Sequence, residues 1–139
     1  MSKERLYIFD TTLRDGAQTQ GVHFSIDEKT KIAHALDNLG VDYIEGGWPG
    51  ANPSDTEFFQ KGLNLKNSTF TAFGMTKKAG RSAENDPGLS AILNSNTNAV
   101  CVVGKSWDFH VDVALGISNE ENLENIKETT KHIVKKNKE

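Results

Sequence analysis

The sequence predicts an α/β protein built of parallel (β/α) units, and three observations carry that expectation. Four short β-rich apolar runs recur along 139 residues, and helical patterns follow most of them. The runs are nearly continuous in apolar character, which suits strands covered on both faces rather than the alternating strands of a half-solvated antiparallel sheet. The first run is "LYIFD", Leu6–Asp10. The helix that follows is the clearest element: Ser25 and Glu28 form a capping-box pattern, Ile32, Ala33, Ala35, Leu36 and Leu39 supply the apolar side, and Gly40 ends it. The second run, Asp42–Gly47, precedes a helix expected over Asp55–Leu65. The third, Thr69–Gly74, leads through the loop-like "KKAGRSAENDPG" to a short helix over Pro87–Leu93. The fourth, Ala99–Gly104, precedes a helix over Glu120–Val134, whose lysine-rich end complements the negative pole of the helix dipole. Four such units are half of an eightfold (β/α) barrel, which takes about 250 residues. The chain is therefore expected to be a piece of a barrel, to pair with itself, or to form an open sheet.

Composition narrows the function. The chain is 36% hydrophobic and 25% charged, ordinary for a soluble globular protein. A net charge of −3 with a pI near 5.8 offers no basic footprint, which argues against nucleic acid or an anionic membrane as a partner. No apolar run approaches the roughly 18 residues of a spanning helix, and "MSKERLYIFD" has no hydrophobic leader core, so a cytoplasmic location is expected. The single Cys101, inside "AVCVV", reads as a small buried hydrophobe and excludes a disulfide within the chain.

Parallel α/β proteins place chemistry at the C-terminal ends of their strands, and the polar residues here collect there. Asp10, Arg14, Asp15 and Gln18 follow the first run; Glu45 and "GGWPGANP" end the second; Phe73, Met75 and Thr76 close the third; Lys105, Asp108 and His110 follow the fourth. A carboxylate beside a guanidinium can bind a hard divalent cation while the guanidinium stabilises an adjacent oxyanion. The same pair suits a turn capped by Asp15 at Gly16 with Arg14 in a structural ion pair. The residues alone leave both readings open. Phe73 and Trp48 are candidates for an apolar wall, with core packing the plainer assignment for Phe73, and His110 is a candidate for lining the site. "VVGKSWD" has Ala99 where a phosphate loop needs its first glycine, so Lys105 reads as a solvated rim lysine. His34 and His132 fall on helix patterns, and His23 has no assigned role.

The stretch "DTTLRDGAQ", Asp10–Gln18, closely resembles the N-terminal signature of the DRE-TIM metallolyase superfamily. That group includes isopropylmalate, homocitrate and citramalate synthases and the hydroxymethylglutaryl-CoA lyases. "LDNLGVDYIEGGWPGANPSDTEFF" and "GKSWDFHV" further resemble the citramalate synthase branch, and the resemblance runs over essentially the whole chain. It implies the first half of a TIM barrel, with residues 1–139 as the N-terminal half of a (β/α)8 catalytic barrel and the remainder outside the chain. It implies that Asp15 coordinates the metal, that Arg14 polarises a keto oxygen and stabilises enolate or alkoxide charge, that Glu45 is the acid of the second strand, and that Gln18 lies near the substrate. Asp10 is expected to be structural support.

The reaction implied is a Claisen-type condensation of the cosubstrate acetyl-CoA with a 2-oxo acid in branched-chain amino-acid biosynthesis, pyruvate giving citramalate, assisted by Mg²⁺ or Mn²⁺. Isopropylmalate or homocitrate synthesis and cleavage of a CoA thioester share the same residues. The alternative of a different class is a non-catalytic half-barrel assembly module, and a homo-oligomer is expected. The sequence departs from the family in one respect: it has no His-x-His pair, its histidines being His23, His34, His110 and His132. The general base and the remaining metal ligands are therefore expected outside this chain, which on its own is expected to be inactive.

Overall fold

A computed structural model describes residues 4–139. Met1–Lys3, part of the stretch read for a leader, lie outside the described residues. Strands β1 (Phe9–Asp10), β2 (Tyr43–Gly47), β3 (Thr69–Met75) and β4 (Ala99–Val103) form one sheet in that order, every neighbouring pair parallel. The crossovers carry α1 (Ile26–Leu39), α2 (Pro53–Lys61) and α3 (Pro87–Leu93); after β4 come a short turn of helix, α4 (Asp108–His110), a π-helical turn Val111–Leu115, and α5 (Asn119–Lys135). The expected alternation of strand and helix is present, with α4 and the π turn as an insertion.

Several boundaries differ from the sequence reading. The first strand pairs only over Phe9–Asp10. Leu6, Tyr7 and Ile8 lie at the sheet's edge, exposed at 82%, 63% and 54%; Ile8 O accepts the N–H groups of Asp42 and Tyr43, but no strand among the described residues lies on the outer side of β1. Helix α2 starts at Pro53 behind the Asn52 cap, whose Oδ1 accepts Asp55 N–H at 2.7 Å, and stops at Lys61 rather than Leu65. Gly62, at φ 70°, turns the chain out of the helix there. On α1 the capping box of Ser25 and Glu28 forms as expected, but Ala35 and Leu39 face outward, Leu39 at 77% exposure. The inward positions are instead Lys29, Ala33 and Asp37 with Ile32 and Leu36 alongside. Cys101 is half-buried rather than buried.

The period-two alternation of the strands sorts their side chains between two faces. Toward the helices, Ile44, Phe70 and Ala72 pack with Ala33, Phe58, Phe59 and Ile92. Phe70 stacks on Phe59 at 4.7 Å and meets Phe58 edge-on at 5.6 Å. The opposite face carries Glu45, Thr71, Phe73 and Cys101, with Glu45 opposite Thr71 and Phe73 opposite Cys101 in the ladder. At the far end of the sheet Asp37 ties α1 to the β3 approach: its carboxylate accepts the N–H groups of Lys66 (2.9 Å), Asn67 (2.8 Å) and Ser68 (2.8 Å). Burial pushes this carboxyl up, but the backbone donors outweigh it and hold it at about 2. On the outer edge of β4, Glu139 N–H donates to Asn98 O and Val100 N–H donates to Glu139 O, the bonding pattern of a parallel ladder.

Candidate active site

The chain leaves β1 through a turn written by its own side chains. Asp10 accepts Thr12 N–H (2.9 Å) and Thr12 Oγ1–H (3.1 Å), the supporting role expected of it. Thr11 O then accepts the N–H groups of Arg14, Asp15 and Gly16, while Leu13, fully buried, anchors the turn in the core. Asp15 stands at the start of the 3-10 turn Gly16–Gln18 and makes no capping bond through its side chain. The capping alternative for Asp15 therefore does not occur.

Arg14 is the centre of the arrangement. Its Nε donates to Glu45 Oε2 at 2.7 Å, and its Nη1 approaches Asp15 Oδ1 at 3.2 Å. Its guanidinium carbon lies 4.1 Å from the centroid of the Phe73 ring, and Trp48 meets that ring edge-on at 5.3 Å. Glu45 is 1% exposed, whereas the Arg14 side chain is 19% exposed. A cation held on two sides by a buried carboxylate and an aromatic face keeps its remaining N–H groups pointed in one direction. Among the described residues Glu45 Oε1 has no hydrogen-bond partner. The Cys101 thiol lies near enough to respond: burial pushes its titration up, and the charge of Glu45 adds to that.

Arg14 also lines a cavity of about 360 Å³ together with Gln18, His23, Lys29, Trp48 and Asn52. Gln18 is thus brought to Arg14, and so is His23, which the sequence left without a role. Phe73 lies beneath the guanidinium, 7% exposed, and does not line that cavity. His110 is not there either; its ring lies tilted against Trp107, 4.5 Å between centroids, in an exposed aromatic group with Phe109. Cys101 and Thr71 were missed as neighbours of Glu45, although the alternation of inward positions along β3 and β4 was the signal for them.

Among the described residues no group of three or more His, Cys, Asp or Glu side chains converges to hold a metal ion. The Asp15 carboxylate is exposed and among the described residues has one cationic neighbour, Arg14, so its remaining lone pairs suit a single contribution to a divalent cation. One carboxylate does not make a site.

A family model described as HMGL-like matches residues 5–139. The chain is 48% identical over 132 residues to an (R)-citramalate synthase of Aquifex aeolicus (strain VF5), covering 94% of this chain and 25% of that protein. It is 44% identical to an (R)-citramalate synthase of Streptomyces coelicolor over 94% of the chain, again 25% of the relative. A 2-isopropylmalate synthase 1 of Caldanaerobacter subterraneus subsp. tengcongensis is 35% identical over 95% of the chain. The chain thus spans about a quarter of the length of these two citramalate synthases. Among solved structures, the HMG-CoA lyase of Bacillus subtilis superimposes with a TM-score of 0.73 at 22% identity, covering 98% of this chain and 45% of that one. The hydroxymethylglutaryl-CoA lyase of Pseudomonas aeruginosa gives 0.71 at 19% identity.

Proposed function

The chain belongs to the HMGL-like family, and on that premise we propose that it supplies the charge-stabilising half of a site for condensing acetyl-CoA with a 2-oxo acid, pyruvate giving citramalate. The observation that carries the reading is Arg14, clamped by Glu45 at 2.7 Å and by Phe73 beneath it, with the open carboxylate of Asp15 beside it. Arg14 meets the negative charge that develops on the keto oxygen as the acetyl carbon attacks. Glu45 orients Arg14 without competing for the outward N–H groups. Gln18, on the same cavity, is placed to hold a polar group of the bound acid, and Phe73 acts through Arg14 rather than as a wall of the pocket. His110 is left as a lining residue only for a ligand that extends beyond the Arg14 cavity. Asp15 is one ligand of a Mg²⁺ or Mn²⁺ ion, which when bound polarises the keto group.

The four units are proposed as residues 1–139 of a (β/α)8 catalytic barrel, its N-terminal half. The ladder begun by Glu139 on β4 supports this, since it extends the sheet in the direction a fifth parallel strand takes. The exposed edge at Leu6–Phe9 supports it from the other side, because such an edge is ordinarily covered. The general base and the other metal ligands lie outside this chain. A cytoplasmic enzyme that assembles as a homo-oligomer is the setting proposed; no helix among the described residues is long and apolar enough to cross a membrane. The related reading as isopropylmalate or homocitrate synthase uses the same residues with a different pocket for the keto acid's side chain.

Release of CoA from acetyl-CoA, followed with a thiol reagent in the presence of Mg²⁺ or Mn²⁺, tests the proposal. We expect silence from the 139-residue chain, and release with pyruvate from the same sequence extended to the length of its relatives. Turnover with 3-methyl-2-oxobutanoate but not pyruvate in the extended protein would reassign the substrate. Turnover by the short chain would overturn the division of the site.

A further inference from the structure

We infer that Lys29 is a positioning residue, whose buried ammonium clamps the turn after β2 and so sets the orientation of Arg14. Lys29 lies on α1 with 4% exposure, an unusual place for a lysine. Its Nζ donates to Gly46 O at 3.0 Å and to Asp55 Oδ1 at 2.5 Å. The other oxygen of Asp55 accepts Trp48 N–H at 2.9 Å and Asn52 Nδ2–H at 3.1 Å. One ion pair therefore holds the backbone on both sides of Gly47. Gly46 directly follows Glu45, where the ladder with β3 is irregular, and Trp48 presses on the ring beneath Arg14. Of the two groups that orient Arg14, Glu45 is joined directly to the segment Lys29 grips, and Phe73, on β3, packs against that segment through Trp48.

The glycines show how closely this segment is packed. A Cβ on Gly46 would fall 2.3 Å from Phe70 Cε2, and one on Gly47, at φ 147°, would fall 2.6 Å from the Asp55 carboxyl carbon. Backbone that close to a ring and a carboxylate has one arrangement available. Stability alone does not explain the charge, because a buried ion pair gains little over an apolar pair of similar volume. What the pair adds is direction: an ammonium with two fixed acceptors, and a carboxylate with backbone and side-chain donors, specify the turn where apolar packing tolerates several.

The functional consequence rests on reading Arg14 as the charge stabiliser, but the test reads geometry and can fail separately from that reading. Arginine Nε–H resonances of the ¹⁵N-labelled chain are followed by NMR; there are three arginines, and Arg14→Lys identifies the Arg14 signal by its loss. In Lys29→Met we expect solvent exchange of Arg14 Nε–H to quicken about tenfold or more, while the β-ladder amides of Ile44 and Ala72 keep their protection. The double variant Lys29→Met/Asp55→Leu, with no charge left unpaired, should recover thermal stability without recovering that protection. If Lys29→Met does not fold, the double variant carries the same comparison. Unchanged Arg14 protection in either folded variant overturns the inference, as does loss of protection at Ile44 and Ala72 in equal measure.

Discussion

Replacing Glu45 by Gln keeps the shape of the side chain and removes its charge. Breaking a fully buried ion pair on one side costs about 3–5 kcal/mol. Arg14 keeps Asp15 at 3.2 Å and is 19% exposed, so solvent and a second carboxylate take up part of the loss, leaving about 2 kcal/mol. For a domain of this size that is a fall of roughly 8 °C in Tm by differential scanning calorimetry. A second readout is local. Cys101 is the only cysteine, and its thiol is held up by burial and then by the charge of Glu45. Removing the charge leaves the burial in place, so the pH midpoint of iodoacetamide alkylation should move down without reaching that of a free thiol. Following the midpoint rather than the rate separates this from transient opening of the destabilised variant. A Tm within about 2 °C of the wild type, together with an unmoved midpoint, would refute the placing of Glu45 between Arg14 and Cys101.

Asp37→Ala leaves three backbone N–H groups without their acceptor, and with partial rescue by water a loss of about 3 kcal/mol is expected in urea unfolding. The folded Asp37 titrates at about 2, below its unfolded value of 3.8, so its contribution is present above pH 4 and disappears as pH falls toward 2. Acid unfolding followed by circular dichroism should therefore begin at higher pH in the variant, and curves that coincide would count against the assignment. Gly46→Ala drives a methyl against Phe70, which Phe58 and Phe59 hold in place, and should cost about 3 kcal/mol in the same urea assay. In the extended protein, Arg14→Lys should lower CoA release by about 10²–10³, since an ammonium does not reproduce the planar fork between Glu45 and the substrate. Near-normal turnover would remove Arg14 from its proposed role.

The sequence by itself determined the parallel (β/α) order, the capped start of α1, the limits of α3, and the gathering of Arg14, Asp15, Gln18 and Glu45 at one end of the strands. Each depends on a local signal: a run of β-rich residues, a Ser with Glu three residues on, a Pro at the head of a helix, a motif of nine residues. Only the tertiary structure decided the rest. Leu6 and Tyr7 have the composition of a strand but join no ladder among the described residues, while Ile8 bonds β2 through its carbonyl, which accepts the N–H groups of Asp42 and Tyr43; pairing is not written in a strand's own residues. Lys29 drew no reading from the sequence, because the partners that bury it, Gly46 O and Asp55, lie 17 and 26 residues away. Phe73 and His110 both sit near strand ends, yet one lies under Arg14 and the other in a separate aromatic group, a distinction set by register and by the insertion after β4. Periodicity and capping act within a few residues of chain, whereas the partner of a buried charge is chosen by packing between segments that meet only in the folded protein.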